Sequence, residues 1–157
     1  MRTTAKVDYA VRAAVELARA QVPDGTRRVP TKGADVAKAQ AIPSKFLESI
    51  LAELKRSGIV ASQRGSEGGY WLARPAAEVT VADIIRAVEG PLADVRGVRP
   101  DALDYEGDLE ALQRMWIAVR ANLRAVLERV TLADLAAGKL PPAVDDIAAV
   151  ADAWSVH

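Results

Sequence analysis

The chain has 157 residues with 21 basic and 21 acidic side chains, one histidine and no cysteine. Half of the residues are apolar, enough for a sizeable core and against wholesale disorder. Without cysteine there are no disulfides, no thiolate metal or iron–sulfur ligation and no thiol nucleophile. Asp8, Arg12 and Glu16 interrupt any apolar run near the start, so no secretory signal is expected. No stretch is long and apolar enough for a membrane span. The cytoplasm is the expected compartment.

Zero net charge conceals an asymmetry. Residues 1–74 carry 13 basic and 7 acidic side chains, a net +6, and residues 75–157 carry 8 and 14, a net −6. Segregation of this kind is what attraction to phosphate requires of the basic half. Chance sorting of solvated surface charge is the bland alternative.

In chain order, residues 4–21 predict a helix with Val7, Val11, Ala14, Val15 and Ala18 on one stripe. Pro23, Asp24 and Gly25 predict a turn. Thr31 is the expected N-cap of a short helix over 32–40, with Val36 and Ala37 inward. After a tight connection, Ser44 is the expected cap of a helix over 44–56. That helix has Phe46, Leu47, Ile50, Leu51 and Leu54 on one face. Lys45, Glu48, Ser49, Ala52, Lys55 and Arg56 lie on the other. Gly58 supplies a stop. Two strands, 59–63 and 70–73, then flank the glycine-rich stretch from Arg64 to Gly69. Two short helices joined by about four residues form a helix-turn-helix, whose second member enters the major groove. The hairpin that follows makes it a winged one.

Thr80 and Asp83 predict a capping box opening a helix to about Glu89, with Gly90 and Pro91 as its stop. Residues 91–107 lack periodicity and read as a connecting loop. From Asp108 a long helix is expected to 130. Its Leu109, Leu112, Trp116, Val119, Leu123, Val126 and Val130 recur at alternating spacings of three and four, the pattern of a helix-packing seam. The seam either completes the core or pairs two copies, and pairing is favoured because most soluble oligomers are symmetric homo-oligomers. Thr131 and Asp134 open another short helix. Val144, Ile147, Val150, Ala151 and Trp154 support a last amphipathic one. The fold class is therefore mainly α with a small β-hairpin wing. It divides into a winged domain at 1–90, a loop at 91–107, a dimerisation helix at 108–130 and short helices at 131–157.

Catalysis finds little support. Asp101, Asp104, Glu106, Asp108 and Glu110 lack calcium-loop spacing, and they suit the positive end of the long helix. The sole histidine is His157, so no Ser-His-Asp set is credible, and no Walker-type phosphate loop is present. A winged helix used only for protein contact would need an apolar stripe where Lys45, Glu48 and Ser49 lie. Trp71, Trp116 and Trp154 sit on apolar stripes, where core packing is the default over a ligand pocket.

Several segments resemble the bacterial winged-helix regulators that include IscR, NsrR and CymR. These are residues 1–6 with Tyr9, Ala10 and Val11; Ala34 to Ala37; Ile42, Pro43 and Ser44; Phe46, Leu47 and Glu48; and Leu54 to Val60. The most specific is the wing, Arg64-Gly65-Ser66-Glu67-Gly68-Gly69-Tyr70, and residues 81–90 fit as well. The resemblance spans about residues 1–140. It implies a homodimer on a roughly palindromic double-stranded operator, with the long helix making much of the dimer contact; repression is the expected sense, with activation left open. It places base reading at Ser44, Lys45, Phe46 and Glu48 and puts a wing arginine at Arg64; Ser49 joins them from the same polar face. Read from its residue type alone, Phe46 is more a packing residue than a base contact. Arg2, Lys6, Lys55 and Arg56 are phosphate candidates, and Gly65, Gly68, Gly69 and Tyr70 shape the wing. Well-known members hold an iron–sulfur cluster through three cysteines in the loop before the long helix. This chain has none there, so it resembles the cluster-free branch and no cofactor or metal is expected. A small-molecule effector in place of the cluster, or a protein one, is left open.

Overall fold

The computed structural model describes residues 3–21, 29–105, 107–150 and 153. Arg2, the 23–25 turn, Arg27, Arg28, Ala151, Trp154 and His157 lie outside the described residues. The elements are α1 (Ala5–Ala20), α2 (Gly33–Gln40), α3 (Ser44–Arg56), β1 (Val60–Gln63), β2 (Gly69–Leu72), α4 (Val81–Glu89), α5 (Glu110–Leu127), α6 (Leu132–Ala136) and α7 (Pro142–Ala148).

The core is built around α1. Thr4 caps it by accepting the Val7 N–H at 3.2 Å. Ala10, Ala13 and Ala14 on its inner side are fully buried, and such small side chains let α2, α3, α4 and α6 all approach this one helix. Leu47, Ile50, Leu51 and Leu54 of α3 are buried in the same cluster, each contributing about 1.5–3 kcal/mol of burial free energy. The core does not stop at residue 90. Leu132 of α6 is also fully buried in it, and Thr80 and Thr131 pair their backbones across the two chain segments.

Two expected caps are corrected. Thr31 does not cap α2; its N–H donates to the Tyr70 carbonyl at 2.9 Å, and the Tyr70 N–H returns the bond at 2.8 Å. Its backbone thus forms an isolated antiparallel bridge beside the wing, and α2 starts one residue later, after Lys32, with no side-chain cap. Ser44 lies inside α3 as its first residue. Pro43, with its φ fixed at −57°, takes the cap position and offers no side-chain acceptor. Between them Ala41 ends α2 in the left-handed conformation (φ 51°), and Ile42 is buried as the anchor of the turn.

The sheet is one antiparallel pair, with Val60 opposite Leu72 and Gln63 opposite Gly69. The first strand starts one residue later than expected and the second is shifted one residue earlier, within the usual ambiguity of strand ends. The capping box at Thr80 and Asp83 is present, with the Thr80 N–H donating to Asp83 at 3.0 Å. Residues 91–105 hold more local structure than their lack of periodicity suggests. Val95 and Val98 pair across a turn at Arg96 and Gly97, and Leu92, Pro100 and Leu103 are buried. Helix α5 is shorter than expected, because 107–109 form a 3₁₀ turn and the helix ends at Leu127. Of the stripe expected on the last helix, Val144 is buried while Ile147 and Val150 face outward.

Gly69 is where the wing meets the Thr31 segment. A Cβ there would lie 2.7 Å from the Thr31 carbonyl oxygen, backbone against backbone. Gly69→Ala should therefore break the Thr31–Tyr70 pairing. The expected loss is about 1–3 kcal/mol of stability by denaturant titration, with faster amide exchange at Thr31 and Tyr70. Unchanged exchange at both amides would contradict this role for Gly69.

Candidate nucleic-acid interface

Burial of one stripe of α3 fixes its rotation, so Ser44, Lys45, Glu48, Ser49, Ala52, Lys55 and Arg56 are all exposed on the other side. Pro43 offers no side-chain acceptor; its carbonyl accepts the Phe46 and Leu47 N–H groups at 3.0 Å, and the Ser44 and Lys45 N–H groups stand at the end where the helix dipole is positive. Beside this face stands the wing. A cleft of about 280 Å³ between them is lined by residues including Glu48, Ala52, Lys55, Ser62, Gln63, Arg64 and Tyr70. Lys55 reaches across it to donate to the Ser62 hydroxyl at 2.8 Å, tying helix to strand.

The wing tip is set by glycines. Gly65 has φ 110°, a region that favours glycine, and its carbonyl accepts the Gly68 N–H at 3.0 Å to close the turn. A Cβ on Gly68 would lie 2.3 Å from the Gln63 carbonyl oxygen. Arg64 enters this turn exposed. Tyr70 is half-buried at the root of the wing, where its ring would meet a Cβ on Gly33 at 3.4 Å.

Electrostatics separate the cations into two groups. Arg12, Arg19, Arg74, Arg86, Arg99, Arg120 and Arg124 are ion-paired within the chain. Among the described residues, Lys45, Arg56 and Arg64 have no such carboxylate partner within 4.0 Å. All three are exposed, and Arg64 lines the cleft together with Lys55, which also has no carboxylate partner among the described residues. Lys6 belongs with the paired group. Its ammonium sits 2.8 Å from Glu53 and donates to the Val88 carbonyl at 2.8 Å, bracing α1 against α3 and α4.

Of the expected interface, the structure brings together Ser44, Lys45, Glu48, Ser49, Lys55, Arg56 and the wing. It directs Lys6 to an internal brace, and Arg2 lies outside the described residues. Phe46 departs from the core stripe assigned to it. It is 42% exposed, with its ring edge-on to Tyr9 at 5.7 Å. Sequence spacing missed this because Phe46 sits on the shoulder between the two faces, where its ring meets Tyr9 of α1.

The far half behaves differently. No described residue of α5 is buried in the single chain. Leu112, Trp116, Val119, Leu123 and Val126 are half-covered by the body, and Leu109 is 52% exposed. Val130 leaves the seam. It lies beyond the helix and is 5% exposed, its carbonyl accepting the Val81 N–H at 2.9 Å. Glu128 links the halves, accepting from Arg124 at 2.9 Å and from Arg86. These two bonds, Arg124 first, hold its carboxyl below the usual range.

An unpaired polar helix face beside a glycine-tipped hairpin, on a three-helix core, is a winged helix-turn-helix. The family model described as "Rrf2: Iron-dependent Transcriptional regulator" matches residues 3–138, and the chain belongs to this family of DNA-binding transcriptional regulators. It is not an enzyme.

The chain is 49% identical over 148 residues to Rv1287 of Mycobacterium tuberculosis strain H37Rv, named as an HTH-type transcriptional regulator, covering 94% of this chain and 89% of that one. It is 31% identical over 136 residues to CymR of Bacillus subtilis, covering 87% and 90%. The solved structure of CymR, the global cysteine regulator of B. subtilis, superposes with a TM-score of 0.72 at 30% identity over 88% of this chain and 98% of that one. IscR of T. potens superposes at 0.66 with 27% identity, over 100% and 93%.

The iron in the family description does not fit this chain. The loop before α5 has no cysteine, and its Asp101 is paired with Arg99 at 2.6 Å. No cluster of three or more metal-ligating side chains exists among the described residues.

Lys6 provides a test of the sorting of cations. Lys6→Met should lower thermal stability while leaving the salt dependence of DNA binding unchanged. A phosphate contact would do the reverse, reducing the log–log salt slope by about one.

Proposed function

We propose that the protein is a homodimeric repressor that binds a pseudo-palindromic operator, with α3 in the major groove and Arg64 in the flanking minor groove. The observation that carries this reading is the exposed polar face of α3 beside the glycine-tipped wing, with Glu48, Lys55 and Arg64 lining one cleft between them. In that pose Lys45 donates to guanine or phosphate, Glu48 accepts from a cytosine amino group, and Ser44 and Ser49 donate or accept at either edge. Arg64, on a narrow glycine-bordered tip, suits an A·T-rich minor groove, where the potential is most negative. Lys55 and Arg56 supply sequence-independent attraction to phosphate.

The dimer reading rests on α5, a helix of 18 residues with none buried in its own chain. Pairing two copies along Leu112, Trp116, Val119, Leu123 and Val126 would complete the burial that the single chain leaves half-finished. A two-fold axis there would present two α3 helices to half-sites about one helical turn, roughly 34–36 Å, apart. The winged body up to residue 90, with α6 packed back on it, serves as the reading unit, and the 91–107 segment links it to the pairing helix. Such a regulator works in the cytoplasm, on the nucleoid. An effector, whether small molecule, protein or none, is left open; one that binds would act by changing the spacing of the two reading helices.

Operator selection from random duplexes, followed by gel-shift titration, tests the reading. Arg64→Ala should weaken operator binding at least tenfold and binding to unrelated duplex much less; equal losses on both would reduce Arg64 to a phosphate anchor. Separately, Trp116→Glu should yield a monomer by sedimentation with a folded winged body. A variant that stays dimeric would remove α5 from the interface.

A further inference from the structure

Phe46 is an exposed aromatic ring that the core does not account for. Single exposed apolar residues are ordinary on protein surfaces, but this one occupies the first turn of the helix that presents Lys45, Glu48 and Ser49. It lies one turn before Ser49 and Ile50, at the border of the polar face. The ring is also held. Tyr9 meets it edge-on at 5.7 Å with an interplanar angle of 86°, and the Arg12 guanidinium lies 5.7 Å from the Tyr9 ring on its own account. Arg12 in turn donates to the Gln40 carbonyl at the end of α2, so the stack spans all three helices of the motif. A ring fixed in this way loses little side-chain freedom when it meets a ligand.

We propose that Phe46 is a specificity-determining residue that selects thymine by apolar contact with its 5-methyl group. Among the bases only thymine displays an apolar group in the major groove, and a phenyl surface is one of the side chains that suit it. Phe46 has no hydrogen-bonding atom and can read nothing else there. Its neighbours read polar edges, so a thymine beside the bases contacted by Lys45 and Glu48 is the feature it adds to each half-site. This inference rests on α3 lying in the major groove.

The test replaces each thymine of a selected operator, one at a time, by deoxyuridine, which lacks only the methyl. Wild-type protein should lose about fourfold in affinity at one thymine per half-site, the effect of exposing one methyl-sized apolar group. Phe46→Ala should bind the thymine and deoxyuridine operators equally, and Phe46→Met should retain part of the difference. In a second measurement, which uses wild-type protein only, 5-iodouracil at that thymine should photocross-link to Phe46, mapped by mass spectrometry. No methyl-sensitive thymine in the wild type, or a deoxyuridine penalty that persists in Phe46→Ala, overturns the proposal. If Lys45→Ala and Glu48→Ala still change base preference in that case, major-groove reading by α3 stands and only the role of Phe46 falls. If they change nothing, the placement of α3 itself has failed.

Discussion

Everything on the reading side depends on one packing constraint, the burial of a single stripe of α3 beneath α1. Leu47, Ile50, Leu51 and Leu54 lock the helix about its own axis, and the exposed positions follow with no freedom left. A helix rotated by one residue would turn a leucine to solvent and bury Lys45 or Glu48, at a cost of several kcal/mol for an unpaired charge. The fully buried alanines of α1 enable this arrangement, because only small side chains let four helices share one partner. Binding chemistry is thus a by-product of core geometry: the face unsuited to the interior is the face that remains for DNA.

The wing is attached by a second, independent device. The two-way hydrogen bonds between Thr31 and Tyr70 bind the hairpin to the segment leading into α2, and the Lys55–Ser62 bond ties it to α3. The hairpin is therefore held both to the segment before α2 and to α3 itself. A two-stranded ribbon alone is marginal in water, so these anchors are what make the position of Arg64 definite. The remaining half of the chain obeys another rule. Four of its arginines, Arg86, Arg99, Arg120 and Arg124, are paired with carboxylates, as in the Arg86, Arg124 and Glu128 group.

Most of the architecture was legible in the sequence because it is written in periodicity. The α3 stripe, the Thr80–Asp83 capping box and the hairpin are local patterns with local causes. What escaped is non-local. Thr31 looks like a helix cap, and only the arrival of Tyr70 from 39 positions later makes it a bridge partner. Lys6 looks like a free surface cation, and only folding brings Glu53 and the Val88 carbonyl to it. Phe46 satisfies a helical spacing rule, yet one α1 residue covers it incompletely. Val130 continues the three-four rhythm although the helix has already ended. Each misreading is a residue whose partner lies far along the chain, which spacing rules do not see.

Because the chain has no cysteine, the account can be tested site by site with introduced thiols. Maleimide labelling of Lys45→Cys, Glu48→Cys, Ser49→Cys and Arg64→Cys should be fast in the free protein and strongly slowed by a saturating selected operator. Ala143→Cys on the exposed start of α7 should label at one rate throughout. Equal labelling of the α3 thiols with and without operator, while the duplex is demonstrably bound, would contradict the claim that this face of α3 is what touches DNA.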